Sequence, residues 1–151
     1  QSGYQPEIIL AGRRINDNMP IYVAERFIKL MLKKNINILR AKILILGLTF
    51  KENCPDIRNS KVFDMIESLS SYKCNIDVYD PLVDKKNLTS KLNGRFITLP
   101  KMQNYDGIIL AVKHDIFLNM GAKNLRKYGK INHAFFDLKY AFDESDSDDQ
   151  L

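Results

Sequence analysis

The sequence has few cysteines and no long apolar run. Its only cysteines, Cys54 and Cys74, stand at no spacing that metal-binding motifs use. We therefore expect no metal site, and a reducing cytoplasm is the simplest location. No hydrophobic stretch has the length of a signal peptide or a membrane span, so we expect no membrane association.

Glycine is missing where a dinucleotide-binding fingerprint would require it. Gly47 stands alone after a predicted strand, whereas the Gly-x-Gly-x-x-Gly motif needs three glycines so that a pyrophosphate can lie against the backbone. Asp80 ends the next predicted strand, where such units carry the acid that grips a ribose. Because the glycines are absent, we do not assign this role to Asp80.

Acidic residues are scarce until the end of the chain. The last nine residues carry five acids and no base, so residues 1–142 hold 23 basic and 13 acidic side chains, a net charge of +10. Such a surplus suits an anionic ligand, either a nucleotide phosphate or a nucleic acid. The basic residues are scattered along helices without interleaved aromatics or a nucleic-acid motif, so we expect no nucleic-acid partner.

The chain has the size of one domain, with 151 residues of which 45% are hydrophobic, enough to bury a core. Apolar runs predict buried strands, and apolar stripes of helical period predict helices. We expect strands at 42–47, 75–79, 95–98, 105–112 and 134–137, and helices at 61–72, 84–92, 116–120 and 122–128. This alternation predicts an α/β fold with a Rossmann-like parallel sheet flanked by helices.

A long connecting helix is predicted ahead of the first strand. It should begin near Asn18, a candidate cap, since Pro20 is tolerated in a first turn, and it should end near Lys34. Residues 1–7 are polar and are expected to be an irregular, cut end. The helix carries one apolar stripe, which could pack on the sheet of its own domain or on a second subunit: Ile21, Ala24, Ile28, Met31 and Leu32.

The stretch 42–60 joins a buried strand to a charged loop. Its first half, residues 42–47, is a leucine and isoleucine run of the kind that forms a central parallel strand. Lys51 and Arg58 follow, with Glu52 and Asp56 near them. Charged groups thus collect at the carboxyl end of a strand, where open α/β sheets bind ligands. A loop of solvated ion pairs has the same local pattern, so these residues alone leave both interpretations open.

Three motifs carry a more specific signal, namely Gly47-Leu-Thr-Phe-Lys51, Asp56-Ile-Arg58-Asn-Ser60 and Tyr79-Asp80-Pro81. Together they resemble the C-terminal, UDP-binding domain of the UDP-glucose / UDP-N-acetyl-D-mannosamine (or galactosamine) 6-dehydrogenase family. The resemblance runs from Gly12 to about Phe142. In the loop 50–59 it is closer to the N-acetylhexosamine enzymes of capsule and O-antigen synthesis than to the UDP-glucose enzymes.

The resemblance implies a division of the chain and a function. Residues 1–35 would end a central helical segment that forms a homodimer, and residues 36–142 would bind the UDP-sugar. Composition predicts that the acidic tail, residues 143–151, is disordered. The full-length enzyme would oxidise the sugar to a uronic acid with two NAD and a cysteine nucleophile. The alternative is a stand-alone nucleotide-binding or regulatory module without catalysis.

Only binding residues carry over from the family. Phe50 and Lys51 match the loop that contacts the UDP-sugar, and Lys139 lies near a basic residue that reaches the substrate. Arg58 matches a residue that reaches the NAD, which the family binds mainly through its N-terminal domain. His114 follows a predicted strand, and we expect it to hold a loop more than to act as an acid or base.

This chain alone is expected to show no dehydrogenase activity. It contains no Gly-rich NAD fingerprint, and the surroundings of Cys54 and Cys74 do not resemble those of the family's nucleophile. The check is to incubate the purified chain with NAD and each UDP-sugar and to follow the absorbance of NADH. A full-length enzyme in the same assay is the positive control, and NADH formed by the chain itself would contradict the prediction.

Overall fold

A six-stranded parallel sheet forms the centre of the computed structural model, which describes the backbone of residues 4–88 and 92–151 and, within them, the side chains from residue 17 onward. The strands are β1 (Lys42–Leu46), β2 (Asn75–Tyr79), β3 (Arg95–Phe96), β4 (Tyr105–Leu110), β5 (Gly129–Asp137) and β6 (Asp149–Gln150). Their order is β3-β2-β1-β4-β5-β6, and every neighbouring pair is parallel. The predicted α/β, Rossmann-like fold is confirmed.

Helices cover both faces of the sheet. They are α1 (Tyr4–Lys33), α2 (Val62–Ser70), α3 (Asp115–Met120) and α4 (Ala122–Leu125), and short 3-10 turns lie at Lys85–Asn87, Arg126–Tyr128 and Glu144–Asp146. In the described part of the chain, no helix combines the length and the apolar character that crossing a membrane requires.

The core lies in two layers, one on each face of the sheet. Alternate side chains of a strand point to opposite faces, so Ile43 and Ile45 of β1 face α1 and α2, while Leu44 and Leu46 face α3 and α4. All four are fully buried. A strand segment buried on both faces is apolar, which is why residues 43–46 form an unbroken apolar run, while Lys42 at the start of β1 is exposed.

Helix α1 is longer than the sequence predicted. It starts at Tyr4 and contains Pro20 in its interior, so the prediction of a start near Asn18 and of an irregular segment over residues 4–7 is wrong. Proline is tolerated in a first turn, and this favoured a helix start there. An interior proline removes one hydrogen bond and crowds the preceding turn, yet α1 continues through Pro20. Residues 1–3 lie outside the described residues.

The apolar stripe of α1 serves mainly its own domain. Ala24, Ile28 and Met31 are buried in the core shared with β1 and α2, whereas Ile21 and Leu32 are about half exposed, at 48% and 56%. Of the two alternatives left by the sequence, packing on the domain's own sheet holds for the three buried residues. These three side chains are therefore already buried within the domain and are not exposed to a second subunit.

The acidic tail is ordered, so the prediction of disorder over residues 143–151 is wrong. Asp149 and Gln150 form β6, which pairs in parallel with the end of β5. Basic side chains pair with two of the five acids: Arg26 of α1 contacts Asp149 at 2.7 Å, and Lys34 contacts Asp148 at 3.1 Å. The composition of the tail alone could not reveal these partners, because they lie more than a hundred residues away in sequence.

The helix predicted at 84–92 is also wrong over the residues that the structure describes. Only a single 3-10 turn forms, at Lys85–Asn87. The Asp84 side chain accepts from the backbone N–H of Lys86, and Leu88 already has an extended backbone, so the turn ends at once. This is how aspartate favours turns over helices. Residues 89–91 of the predicted helix lie outside the described residues.

Candidate functional site

The loop that follows β1 starts at a position that only glycine fits. Gly47 has φ of +95°, and a Cβ atom there would lie 2.6 Å from the Cβ of Val112. A side chain would be both strained and too close to its neighbour. The chain therefore turns sharply at the carboxyl edge of the sheet, beside the point where the strand order reverses between β1 and β4. Ligands of open α/β folds bind at such switch points.

Two hydrogen bonds shape the loop after this turn. The hydroxyl of Thr49, a buried residue, donates to the backbone carbonyl of Lys51 at 2.9 Å. The backbone N–H of Phe50 donates to the carbonyl of Asp56 at 2.8 Å. The loop is thus closed on itself, and the side chains of Phe50 and Lys51 stand exposed at its tip.

His114 anchors this loop to the end of β4. The ring is 1% exposed, and its Nδ1 accepts from the backbone N–H of Asn53 at 2.9 Å. That bond needs a lone pair on Nδ1, so the ring proton lies on Nε2. Nε2 faces Asp80 at 2.9 Å and the hydroxyl of Thr49 at 3.2 Å. His114 therefore holds the loop, in the structural role that we expected for it.

Asp80 joins the ends of three strands. Its carboxylate accepts from the backbone N–H of Leu48 at 2.7 Å, from that of Leu82 at 2.9 Å and from His114. Burial acts to raise the pKa of Asp80, but the hydrogen bonds from His114 and the two N–H groups outweigh it, so the pKa lies below its usual 3.8. With 2% exposure and these donors, Asp80 has no free oxygen to offer a ribose.

Asn53 provides a second contact between the loop and α3. Its side-chain amide donates to the carboxylate of Asp115 at 3.1 Å and accepts from the backbone N–H of Asp115 at 2.9 Å. The second bond satisfies one of the unpaired N–H groups at the start of the helix. Asn53 has φ of +59°, a conformation that asparagine tolerates better than most residues.

Phe50, Lys51 and Lys139 meet at one cleft at the carboxyl edge of the sheet. The cleft has a volume of about 160 Å³, and Lys61 and Glu52 also line it. Lys61 already pairs with Asp17 at 3.3 Å, so the lysines at 51 and 139 against the one glutamate make it a basic site. Neither Lys51 nor Lys139 forms an ion pair with any of the described residues, so their charges are available to a ligand.

The loop that carries Lys139 is held by another buried acid. Asp137, at the end of β5, is fully buried. One of its oxygens accepts from the backbone N–H of Lys139 at 3.0 Å, and the other accepts from that of Phe142, also at 3.0 Å. A tight loop over residues 138–142 results, with Tyr140 in the left-handed region at φ of +49°.

Arg58 does not line this cleft. It lines an adjoining groove of about 740 Å³ beside the start of α2, and Lys61 lines both. Its guanidinium is bound to both oxygens of Asp56, each at 3.0 Å. The side-chain hydrogen bond from Arg58 lowers the pKa of Asp56 to about 2. Asp56 therefore orients Arg58, while 85% of the arginine side chain remains exposed.

A larger cleft, of about 620 Å³, lies at the opposite, amino-terminal edge of the sheet. Lys42, Arg95 and Lys101 line it. Arg95 already forms an ion pair with Asp77, at 3.0 Å. In parallel sheets the carboxyl edge binds ligands, so we favour the smaller cleft as the candidate site. Among the described residues, no cluster of three or more potential metal ligands occurs.

A comparison of the sequence with models of protein families identifies the family of this chain. The model of the UDP-glucose/GDP-mannose dehydrogenase family, UDP binding domain, matches residues 44–144, more than half of the chain. The chain belongs to this family. The match contains both the loop with Phe50 and Lys51 and the loop with Lys139, and the resemblance identified from the three sequence motifs is confirmed.

Relatives of this dehydrogenase-family chain are much longer proteins. It is 50% identical to a UDP-N-acetyl-D-glucosamine 6-dehydrogenase of Pseudomonas aeruginosa, over 99% of the chain and 35% of the relative. It is 43% identical to Protein CapL of Staphylococcus aureus, over 77% of the chain and 27% of the relative. The solved UDP-N-acetyl-mannosamine dehydrogenase Cap5O of S. aureus superposes with a TM-score of 0.72 at 24% identity, over 99% of the chain and 34% of that structure. The chain spans about a third of these relatives.

Sequence reasoning identified the exposed cations of this UDP-binding domain but missed the groups that hold them. Asn53 and Asp137 were not singled out, and Asp80 was considered only as a ribose ligand. One signal was available, since Asp80 directly follows β2 and Asp137 is the last residue of β5, after the apolar run 134–136. A carboxylate at such a place is either a ligand-binding group or a buried acceptor for the backbone N–H groups of neighbouring loops.

Replacing Asp80 should destabilise the protein in a pH-dependent way. The lowered pKa means that the stabilisation by the carboxylate is present above about pH 4 and is lost as the pH falls through the lower, folded-state pKa. Asp80→Asn should cost at least about 1.5–3 kcal/mol at pH 7, the range for one hydrogen bond to a charged group. Urea unfolding at pH 7 and at pH 3 checks this. The difference from the parent should shrink at the lower pH, and the exposed Asp143→Asn is the control.

Proposed function

We propose that this chain is the UDP-sugar-binding domain of an NAD-dependent UDP-N-acetylhexosamine 6-dehydrogenase. The observation that carries the proposal is the meeting of Phe50, Lys51 and Lys139 at one basic cleft on the carboxyl edge of the sheet. Lys51 and Lys139 come from two loops and stand at positions 51 and 139 of the sequence. The fold of the domain brings them together, and the family supplies the ligand class.

The charge of the cleft suits a nucleoside diphosphate. A UDP-sugar carries two negative charges on its diphosphate, and lysine binds phosphate as a point charge. Lys51 and Lys139 would contact the diphosphate, with Lys61 at the side of the cleft. The exposed ring of Phe50 would pack on the uridine or the sugar. Because buried hydrogen bonds already hold both loops, little ordering of the backbone would be needed on binding.

The sugar is proposed from the relatives. At 50% identity over nearly the whole chain, the P. aeruginosa UDP-N-acetyl-D-glucosamine 6-dehydrogenase favours an N-acetylhexosamine over glucose. UDP-N-acetyl-D-glucosamine is accordingly our first choice of substrate among the UDP-N-acetylhexosamines that the sequence motifs favoured over UDP-glucose. The likeness to Protein CapL is consistent with a role in capsule polysaccharide synthesis, and we propose a cytoplasmic enzyme.

Arg58 is proposed to contribute to the binding of the NAD cofactor. Arg58 is exposed, and Asp56 occupies only two of the N–H donors of its guanidinium. The others could bridge phosphate oxygens of NAD held by another domain. NAD would take up the hydride from the sugar C6, and Arg58 would orient the cofactor without touching the reacting atoms. We assign no catalytic residue to this chain, and we propose that the full-length protein is a homodimer.

Lys51→Ala should weaken UDP binding without disturbing the fold. A hydrogen bond to a charged group is worth about 1.5–3 kcal/mol, which corresponds to roughly a 10- to 150-fold loss of affinity. Titration of UDP into the full-length protein, by calorimetry, measures it. The melting temperature should stay within about 1 °C, since Lys51 is exposed and in no ion pair among the described residues. That limit corresponds to a few tenths of a kcal/mol.

The matched control is Lys127→Ala. Lys127 is also exposed but lies just before β5, at the amino-terminal edge of the sheet. It should leave UDP affinity unchanged. Unchanged affinity in Lys51→Ala, or an equal loss in both variants, would contradict the proposed function. Turnover of UDP-N-acetyl-D-glucosamine and of UDP-glucose by the parent enzyme then tests the choice of sugar.

A further inference from the structure

The side chain of Gln150 reaches from the end of the chain into the loop that carries Lys139. Gln150 belongs to β6 and is 9% exposed. Its side-chain amide donates to the carboxylate of Asp137 at 3.1 Å and to the backbone carbonyl of Phe142 at 2.8 Å. An amide NH₂ group has two donors, and both are used here. The contacts lie at the two ends of the loop 138–142.

Asp137 connects the Gln150 side chain to the backbone of Lys139 through hydrogen bonds. The same carboxylate accepts from Gln150, from the backbone N–H of Phe142 and from the backbone N–H of Lys139. Its orientation therefore fixes the backbone from which the Lys139 side chain extends. Since Asp137 is fully buried, water cannot replace a lost donor easily, and removing the amide of Gln150 would leave part of the carboxylate unsatisfied.

Gln150 is itself held by the long helix α1. The guanidinium of Arg26 binds both oxygens of Asp149 at 2.7 Å and the backbone carbonyl of Gln150 at 2.8 Å. Pairing of β6 with Phe136 and Asp137 on β5 fixes the strand on its other side. The tail is thus clamped between α1 and the sheet, with the side chain of Gln150 directed at the loop.

We propose that Gln150 is a positioning residue for Lys139, and that the C-terminal strand sets the affinity for UDP through the path from Gln150 to Asp137 to the backbone of Lys139. This inference rests on the proposed role of Lys139 in binding the diphosphate. Gln150 itself would not touch the ligand. The acidic tail, which its composition predicts to be disordered, then contributes to the binding of the substrate.

A double-mutant cycle on UDP affinity tests the proposal in the full-length protein. Gln150→Met keeps the size of the side chain and removes its donors. It should raise the Kd for UDP by about 2- to 10-fold, less than the loss of a direct hydrogen bond to a charged group would give, because Gln150 acts on the ligand only through Lys139. In a Lys139→Ala background, the same change should alter the Kd by less than about 2-fold, since residues that act through one another are not additive.

Two controls separate positioning from a general loss of stability. Gln103→Met makes the same exchange at an exposed position near the amino-terminal edge of the sheet and should leave the Kd unchanged. Melting temperatures show whether each variant is folded at the temperature of the titration. If Gln150→Met does not fold, Gln150→Asn replaces it, because it keeps the amide and withdraws it by one methylene.

Each outcome decides the matter. If Lys139→Ala weakens binding while Gln150→Met does not, the inference is overturned and the proposed function stands. An equal loss from Gln150→Met in both backgrounds also overturns it, since Gln150 would then act elsewhere. If Lys139→Ala leaves the Kd unchanged, Lys139 does not bind UDP, and the inference about Gln150 is overturned as well.

Discussion

The buried carboxylate of Asp80 is the constraint on which the site depends. It stands at the end of β2, binds the backbone after β1 through Leu48, and binds His114 after β4. Three neighbouring strand ends are therefore fixed to one another by a single side chain. Through the Nδ1 atom of His114, the same arrangement reaches Asn53 in the loop that presents Phe50 and Lys51. The loop has its shape because a charged group is buried and fully hydrogen-bonded beneath it.

A second buried acid repeats the arrangement on the other side of the cleft. Asp137 ends β5 and holds the loop of Lys139, as Asp80 holds the loop of Lys51. In both cases the acid is buried and the lysine is exposed to solvent. A buried carboxylate keeps its charge only when donors surround it, and here backbone N–H groups of the binding loops supply many of them. The cost of burying charge is offset by the same bonds that fix the loops, so the lysines can remain exposed for a ligand.

The sequence predicted the central strands β1 and β4 well because strands buried on both faces are mostly apolar, whereas it located only the end of β5 and missed β6. The apolar runs at residues 43–46 and 108–112 needed no other information, and the motif at residues 47–51 predicted Phe50 and Lys51, which line the candidate cleft. Other features could not be predicted in this way. The order of the tail and the role of Asp80 depend on partners far away in sequence, and the role of Gln150 depends on the tail being ordered. Local composition made residues 143–151 look disordered, because it does not show that Arg26 and Lys34 lie beside them.

Binding of UDP between Lys51 and Lys139 is tested most directly by a crystal structure of the full-length protein with UDP. The diphosphate should lie at the carboxyl edge of the sheet, within about 4 Å of the Nζ atoms of both lysines, the usual limit for an ion pair. Asp80 and Asp137 should keep the hydrogen bonds described above. UDP bound instead in the cleft of Lys42, Arg95 and Lys101 at the amino-terminal edge, or with its diphosphate away from both lysines, would contradict the account.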